Sequence, residues 1–209
     1  MLKYDHFIFD FDGTISDSYP LFVRAAMEVA RNYCVCTAEE QVYHLLKKYS
    51  TVHLFATLGF GENRERAYRE FQALSGEYLR TEATAMAGAE ELLGWIGEQG
   101  GKSYIYSHSG DVVRLNVKRW GFEPYFTDYM LGDKQYPRKP APDALLALAV
   151  RADLDVTRCV MIGDRDIDVL SGKNAGMDGI LIDDENFYPN LEVTYRVACL
   201  SEIKKCILQ

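Results

Sequence analysis

From Gly88 onward the chain alternates short apolar runs with helical stretches, and this alternation restricts the fold more than any other feature. Strands are expected over residues 102–106, 128–131, 158–162, 179–182 and 196–199. Helices are expected between them, over 89–99, 109–120, 142–152 and 167–175, with Ser201 opening a terminal one. Gly100-Gly101 stops the first of these helices and Gly121 lies just past the second. Crossovers of this length return the chain in the same direction, so the strands pair in parallel. An earlier run, residues 4–9, has no polar break after His6 and reads as a strand buried on both faces. The expected class is α/β: a doubly wound, Rossmann-like parallel sheet in three layers.

The alternation is interrupted by a block without a good strand. Residues 19–80 are largely helical in pattern. Thr37-Ala38-Glu39-Glu40 has the form of a capping box, followed by Val42, Leu45, Leu46 and Tyr49 at amphipathic spacing. Gly59-Phe60-Gly61 breaks the pattern, and a second helical run covers 63–79 with Ala67, Phe71, Leu74 and Tyr78 on one face. The domain organisation expected is a core of residues 1–15 and 86–209 with an inserted helical cap over 16–85.

With 209 residues, 48% of them apolar, the chain can bury a sizeable core. Its formal charge of −8 argues against a nucleic acid as partner, which requires clustered Lys and Arg. No run of about 18 apolar residues exists to span a bilayer. The five cysteines are odd in number and lack a secreted framework, and no signal peptide is visible. A cytoplasmic protein, monomer or homodimer, is the natural expectation.

Four segments carry chemistry. The first strand runs into Asp10-Phe11-Asp12-Gly13-Thr14. Two carboxylates this close repel unless a cation offsets them, and Gly13 permits a tight turn. The alternative is a capped turn with incidental acids. A second apolar strand ends in Gly163-Asp164, with Asp166 and Asp168 after it. Carboxylates gathered from strand ends would suit Mg2+, a hard cation that takes oxygen ligands; Asp166 reads instead as an acid favoured by the helix start. A third strand ends in Ser107-His108-Ser109. Ser107 could donate to a phosphate oxygen, His108 is either a loop residue or a substrate contact, and Ser109 reads as a helix N-cap. Finally, Lys139 stands before proline in Arg138-Lys139-Pro140-Ala141-Pro142-Asp143, where it is positioned at low conformational cost. Its ammonium could neutralise a nucleophile and a transferring phosphoryl group.

In this order, the DFDGT segment, the strand-end serine, the lysine of KPAPD and the GDRDID segment resemble the four-motif set of the haloacid dehalogenase-like superfamily. The resemblance covers essentially the whole chain and is nearest to the subgroup with phosphoglycolate phosphatases and β-phosphoglucomutases. It implies that Asp10 is a nucleophile forming an aspartyl-phosphate and that Asp12 is the general acid and base. It further implies phosphate binding by Ser107 with Gly13 and His108 at the substrate, and charge stabilisation by Lys139. Mg2+ is then held by Asp10, the Asp12 carbonyl and Asp164, with Asp168 ligating directly or through water. The implied substrate is a small phosphorylated metabolite. A phosphomutase using the same intermediate and a non-catalytic binding protein are the alternatives. Two departures stand out: Ser107-His108 replaces the commoner Thr-Asn pair, and Ala85-Met86-Ala87-Gly88 lacks the proline often found there. Within the cap, Lys47, Lys48, Ser50 and His53 are candidates for substrate selection or plain surface residues.

Overall fold

The protein is described by a computed structural model covering residues 2–132 and 135–208. Its chain divides into two compact units, one of residues 1–16 and 85–209, the other of residues 17–84.

The first unit is built on a six-stranded sheet. Its strands are β1 (His6–Phe9), β4 (Lys102–Ser107), β5 (Phe126–Leu131), β6 (Cys159–Gly163), β7 (Asp178–Ile182) and β8 (Tyr195–Val197). They run in the order β5-β4-β1-β6-β7-β8, and every pairing is parallel. The chain thus starts in the middle, builds outward to one edge, and returns to build the other. Such a reversal opens a crevice at the carboxyl ends of the central strands.

Both faces of the sheet are covered. Along β1, Phe7 and Phe9 enter one apolar cluster and Ile8 the other, as the two-residue period of a strand requires. The Phe7 face packs against α5 (Ala89–Glu98), α6 (Asp111–Arg119) and α9 (Ile203–Ile207) through Leu92, Leu93, Ile96, Val113, Val117, Ile203 and Ile207. The Ile8 face packs against α7 (Asp143–Arg151) through Leu145 and Leu148. The α8 helix (Asp166–Asn174) follows β6. This is the expected three-layer, doubly wound α/β arrangement.

The second unit is helical: α1 (Tyr19–Asn32), α2 (Glu39–Lys48), α3 (Thr51–Thr57) and α4 (Arg64–Thr81). Its centre is an aromatic and aliphatic cluster in which the Phe55 ring stacks on Phe60 at 5.0 Å and meets Phe71 at 5.0 Å. Two residue pairs, β2 (Ser16–Asp17) and β3 (Thr84–Ala85), form a separate two-stranded sheet.

Several local expectations are corrected. The first strand begins at His6, not at residue 4: Tyr4 is buried outside the ladder, its hydroxyl donating to Asp178 at 2.5 Å. The capping box at Thr37 does not form. Ala38 occupies the N-cap, and the Thr37 hydroxyl bonds the Gln41 side chain at 3.1 Å. Tyr49, expected on the buried stripe, is 43% exposed because α2 ends before it. The chain after Ser201 makes one 3-10 turn before α9 starts at Ile203. Among the described residues no helix is long and apolar enough to cross a membrane.

Candidate active site

The register of the sheet delivers three chain segments to one edge. Phe9 lies beside Ile105 on one side and Ile162 on the other, so the residues that follow emerge together. The Asp10 amide still donates to the Ile162 carbonyl at 2.8 Å. Immediately beyond, the backbone turns sharply: the Phe11 carbonyl accepts from the amides of Thr14, Ile15 and Ser16. Gly13 sits at φ 78°, a conformation that costs an L-residue about 1–2 kcal/mol and glycine almost nothing.

Asp10, Asp164 and Asp168 converge, each offering a carboxylate oxygen within 4.8 Å of the others, and all three are buried. The Thr14 hydroxyl donates to Asp164 at 3.3 Å. Asp168, in the first turn of α8, accepts the Arg165 amide at 3.1 Å, which orients it toward the end of β6. Gly163 makes that approach possible: a Cβ there would lie 2.3 Å from the Asp168 Cβ, closer than atoms can come.

The Lys139 ammonium lies inside the cluster. It donates to Asp10 at 2.7 Å, to Asp168 at 2.8 Å and to the Tyr106 carbonyl at 2.8 Å, and it sits 4.3 Å from the centre of the Tyr106 ring. Burial would lower the lysine's pKa, but Asp10 and Asp168 more than offset this and hold it well above its usual value. Burial raises the pKa of Asp10, opposed by Lys139 and reinforced by Asp164 and Asp12. Burial together with the Asp10 charge pushes Asp168 up to about 7. The cluster holds three buried carboxylates, of which the Lys139 ammonium meets Asp10 and Asp168, so full ionisation leaves an excess of buried negative charge. A divalent cation or bound protons must offset it. The cluster could therefore bind a metal.

The Asp12 carboxylate is not part of this cluster. It accepts the Ser109 hydroxyl at 2.6 Å. This corrects the expectation that Ser109 caps the next helix, since α6 begins at Asp111 with Gly110 as its N-cap. The buried Ser107 side chain accepts the Ser109 amide at 3.0 Å, folding the strand end into a tight turn. The His108 Nε2 accepts the Lys139 amide at 3.2 Å. Burial and the cations of Lys139, Arg138 and Arg165 push the His108 imidazole down to about 3, so it is neutral near pH 7. Asp166, read as a helix-start acid, opens α8 and accepts the Ile167 amide at 2.8 Å.

Sequence inspection missed Thr14, Gly163, Ser109 and the Tyr106 carbonyl as parts of this arrangement. Thr14 and Gly163 stood inside quoted motifs, so adjacency to the acids was the available signal. Nothing in the sequence separates a Ser109 that caps a helix from one that holds Asp12. In the helical unit, Lys47 is buried with its ammonium 5.1 Å from the Tyr19 ring centre, while Lys48 and His53 are exposed. Ser50 is engaged as the N-cap of α3, accepting the His53 amide at 3.1 Å.

A family model for haloacid dehalogenase-like hydrolases matches residues 7–182, taking in the strand ends, the lysine loop and the acidic cluster. The chain belongs to this family. Among curated relatives it is 31% identical to hexitol phosphatase A of Escherichia coli (strain K12), over 84% of this chain and 82% of that protein. It is 28% identical to a phosphoglycolate phosphatase of Xanthomonas campestris pv. campestris (strain 8004), over 83% of this chain and 80% of the relative. The fold matches the solved structure of a haloacid dehalogenase-like family hydrolase from Streptococcus pneumoniae. Its TM-score is 0.85 at 17% identity, covering 97% of this chain and 98% of that one. The expected class of enzyme, a haloacid dehalogenase-like phosphatase, is thereby established.

Proposed function

We propose that this phosphatase is Mg2+-dependent and hydrolyses a small phosphorylated metabolite, phosphoglycolate-like or a sugar phosphate, through an aspartyl-phosphate on Asp10. The observation that supports it best is the convergence of Asp10, Asp164 and Asp168 within 4.8 Å of one another, with the Lys139 ammonium on two of them. A site of hard oxygen donors with excess negative charge fits Mg2+. Asp10, Asp164 and Asp168 would hold the ion with the main-chain carbonyl of Asp12. When bound it supplies positive charge against which a phosphate dianion can approach a carboxylate.

The protein's own groups divide the remaining work. Asp10 attacks phosphorus while the ester P–O bond breaks, and Asp12 gives its proton to the leaving oxygen. Asp12, now ionised and receiving the Ser109 hydroxyl, takes a proton from water, which attacks the aspartyl-phosphate. Inorganic phosphate leaves and Asp10 is restored. Lys139 stays charged throughout and offsets the nucleophile and the transferring group. Ser107, with the backbone at Gly13 and His108, lines the place of the phosphate oxygens.

The test is a panel of phosphorylated metabolites assayed with Mg2+ and scored by release of inorganic phosphate, run beside Asp10→Asn. Turnover of a small phosphoester by the wild-type chain, absent in Asp10→Asn and after chelation, is the expected result. Equal turnover by the variant would refute the mechanism.

A further inference from the structure

Lys139 donates its ammonium to Asp10 and Asp168, and it lies in a loop, in neither a helix nor a strand. Something must hold it between Asp10 and Asp168, because a misplacement of about 1 Å in such a site costs on the order of 100-fold in rate. The hold comes from the end of β4. The Tyr106 carbonyl and ring take the ammonium, while His108, two residues on, takes the main-chain amide of the same lysine. The two rings brace each other edge to face, with centroids 6.1 Å apart and planes at 90°. On the other side, the Asn174 amide donates to the Pro140 carbonyl at 2.9 Å, so the Lys139–Pro140 link is tied to both β4 and α8.

We infer that His108 is a positioning residue: its neutral Nε2 accepts the Lys139 amide and thereby fixes the lysine between Asp10 and Asp168. Accepting at Nε2 places the ring proton on Nδ1. Burial and the three neighbouring cations keep the second proton off the ring, so the acceptor persists across the range in which a phosphatase works. This explains why a histidine can stand beside the strand-end serine: the position requires an acceptor at that reach, and a hydrocarbon of equal size would leave a main-chain N–H without its partner.

The inference rests on the proposed function for its kinetic consequence but not for its geometry, and the experiment separates the two. In uniformly 15N-labelled wild-type protein, a through-hydrogen-bond coupling between the Lys139 amide nitrogen and His108 Nε2 is expected, with an Nδ1–H tautomer. Its absence overturns the inference without any variant. His108→Leu, which keeps bulk but has no acceptor, should lower kcat by about 10- to 100-fold. KM for p-nitrophenyl phosphate should move less than about threefold, and exchange of the Lys139 amide should quicken. His108→Gln, whose side-chain oxygen reaches the same place, should recover most of kcat and slow that exchange again. Equal loss in both variants, or none in His108→Leu, refutes the inference. A wild-type protein that shows the coupling but no turnover with Mg2+ refutes the catalytic proposal and leaves the positioning role standing.

Discussion

At the amino edge of the sheet Lys3 donates to Asp178 at 3.1 Å, with side chains 33% and 40% exposed. At the carboxyl edge Lys139 donates to Asp10 and Asp168, and its side chain is 2% exposed. Both networks use a lysine, aspartates and tyrosine. At the amino edge the charges balance, and the Tyr4 and Thr194 hydroxyls complete the partners of Asp178. At the carboxyl edge the carboxylates outnumber the cation and water is largely excluded. An exposed, balanced pair contributes little to stability and is easily replaced. A buried, unbalanced one is costly to maintain and points to a ligand that completes it. The two edges of one sheet thus carry ion-pair networks that differ in burial and in charge count.

The largest contrast should appear on removing one acid from each edge. Asp10→Asn is expected to lower kcat by on the order of 1,000-fold or more, while Asp178→Asn leaves kcat unchanged and lowers the unfolding free energy from urea titration by no more than about 1 kcal/mol. Comparable activity losses would erase the distinction. Next in size is Gly163→Ala. The new methyl group displaces Asp168, and Mg2+ affinity measured by calorimetry should fall by about 10- to 100-fold with the fold retained.

The two edges should also respond oppositely to pH. Asp168 has a folded-state pKa raised to about 7, so between the ordinary carboxylate range and about 7 the native metal-free protein holds a proton that the unfolded chain has lost. Stability of the metal-free protein therefore falls as pH rises through that window, and the increase in Tm on adding Mg2+ should be larger at pH 8 than at pH 5.5. For Asp178, burial would raise the pKa, but hydrogen bonds from Tyr4, Lys3 and Thr194 leave it below the usual value. Its contribution is present above the unfolded pKa and disappears as pH falls through the folded one. Thermal melts of the wild type and Asp178→Asn should converge in acid. The smallest expected effect is Lys3→Met, which should alter Tm by no more than a few degrees and leave kcat untouched.

Much of this arrangement was legible in the sequence for a physical reason. An apolar run that stops at an acid marks a strand end, and parallel pairing brings such ends to one edge, so Asp10 and Asp164 could be paired from far apart. Lys139 was visible because prolines restrict its loop. What stayed hidden were contacts that depend on side-chain direction. Ser109 has the same identity whether it caps a helix or holds Asp12, and His108 gives no sign that its partner lies in the lysine loop. Thr37 shows the opposite failure, a local capping pattern lost when Ala38 took the N-cap.

Calorimetric titration of the metal-free wild-type protein with Mg2+ at pH 7.5, repeated on Asp164→Asn, tests the carboxylate cluster most directly. A single ion bound by the wild type and none by the variant is the predicted result. Binding of equal strength in both, or none in the wild type, would contradict the account.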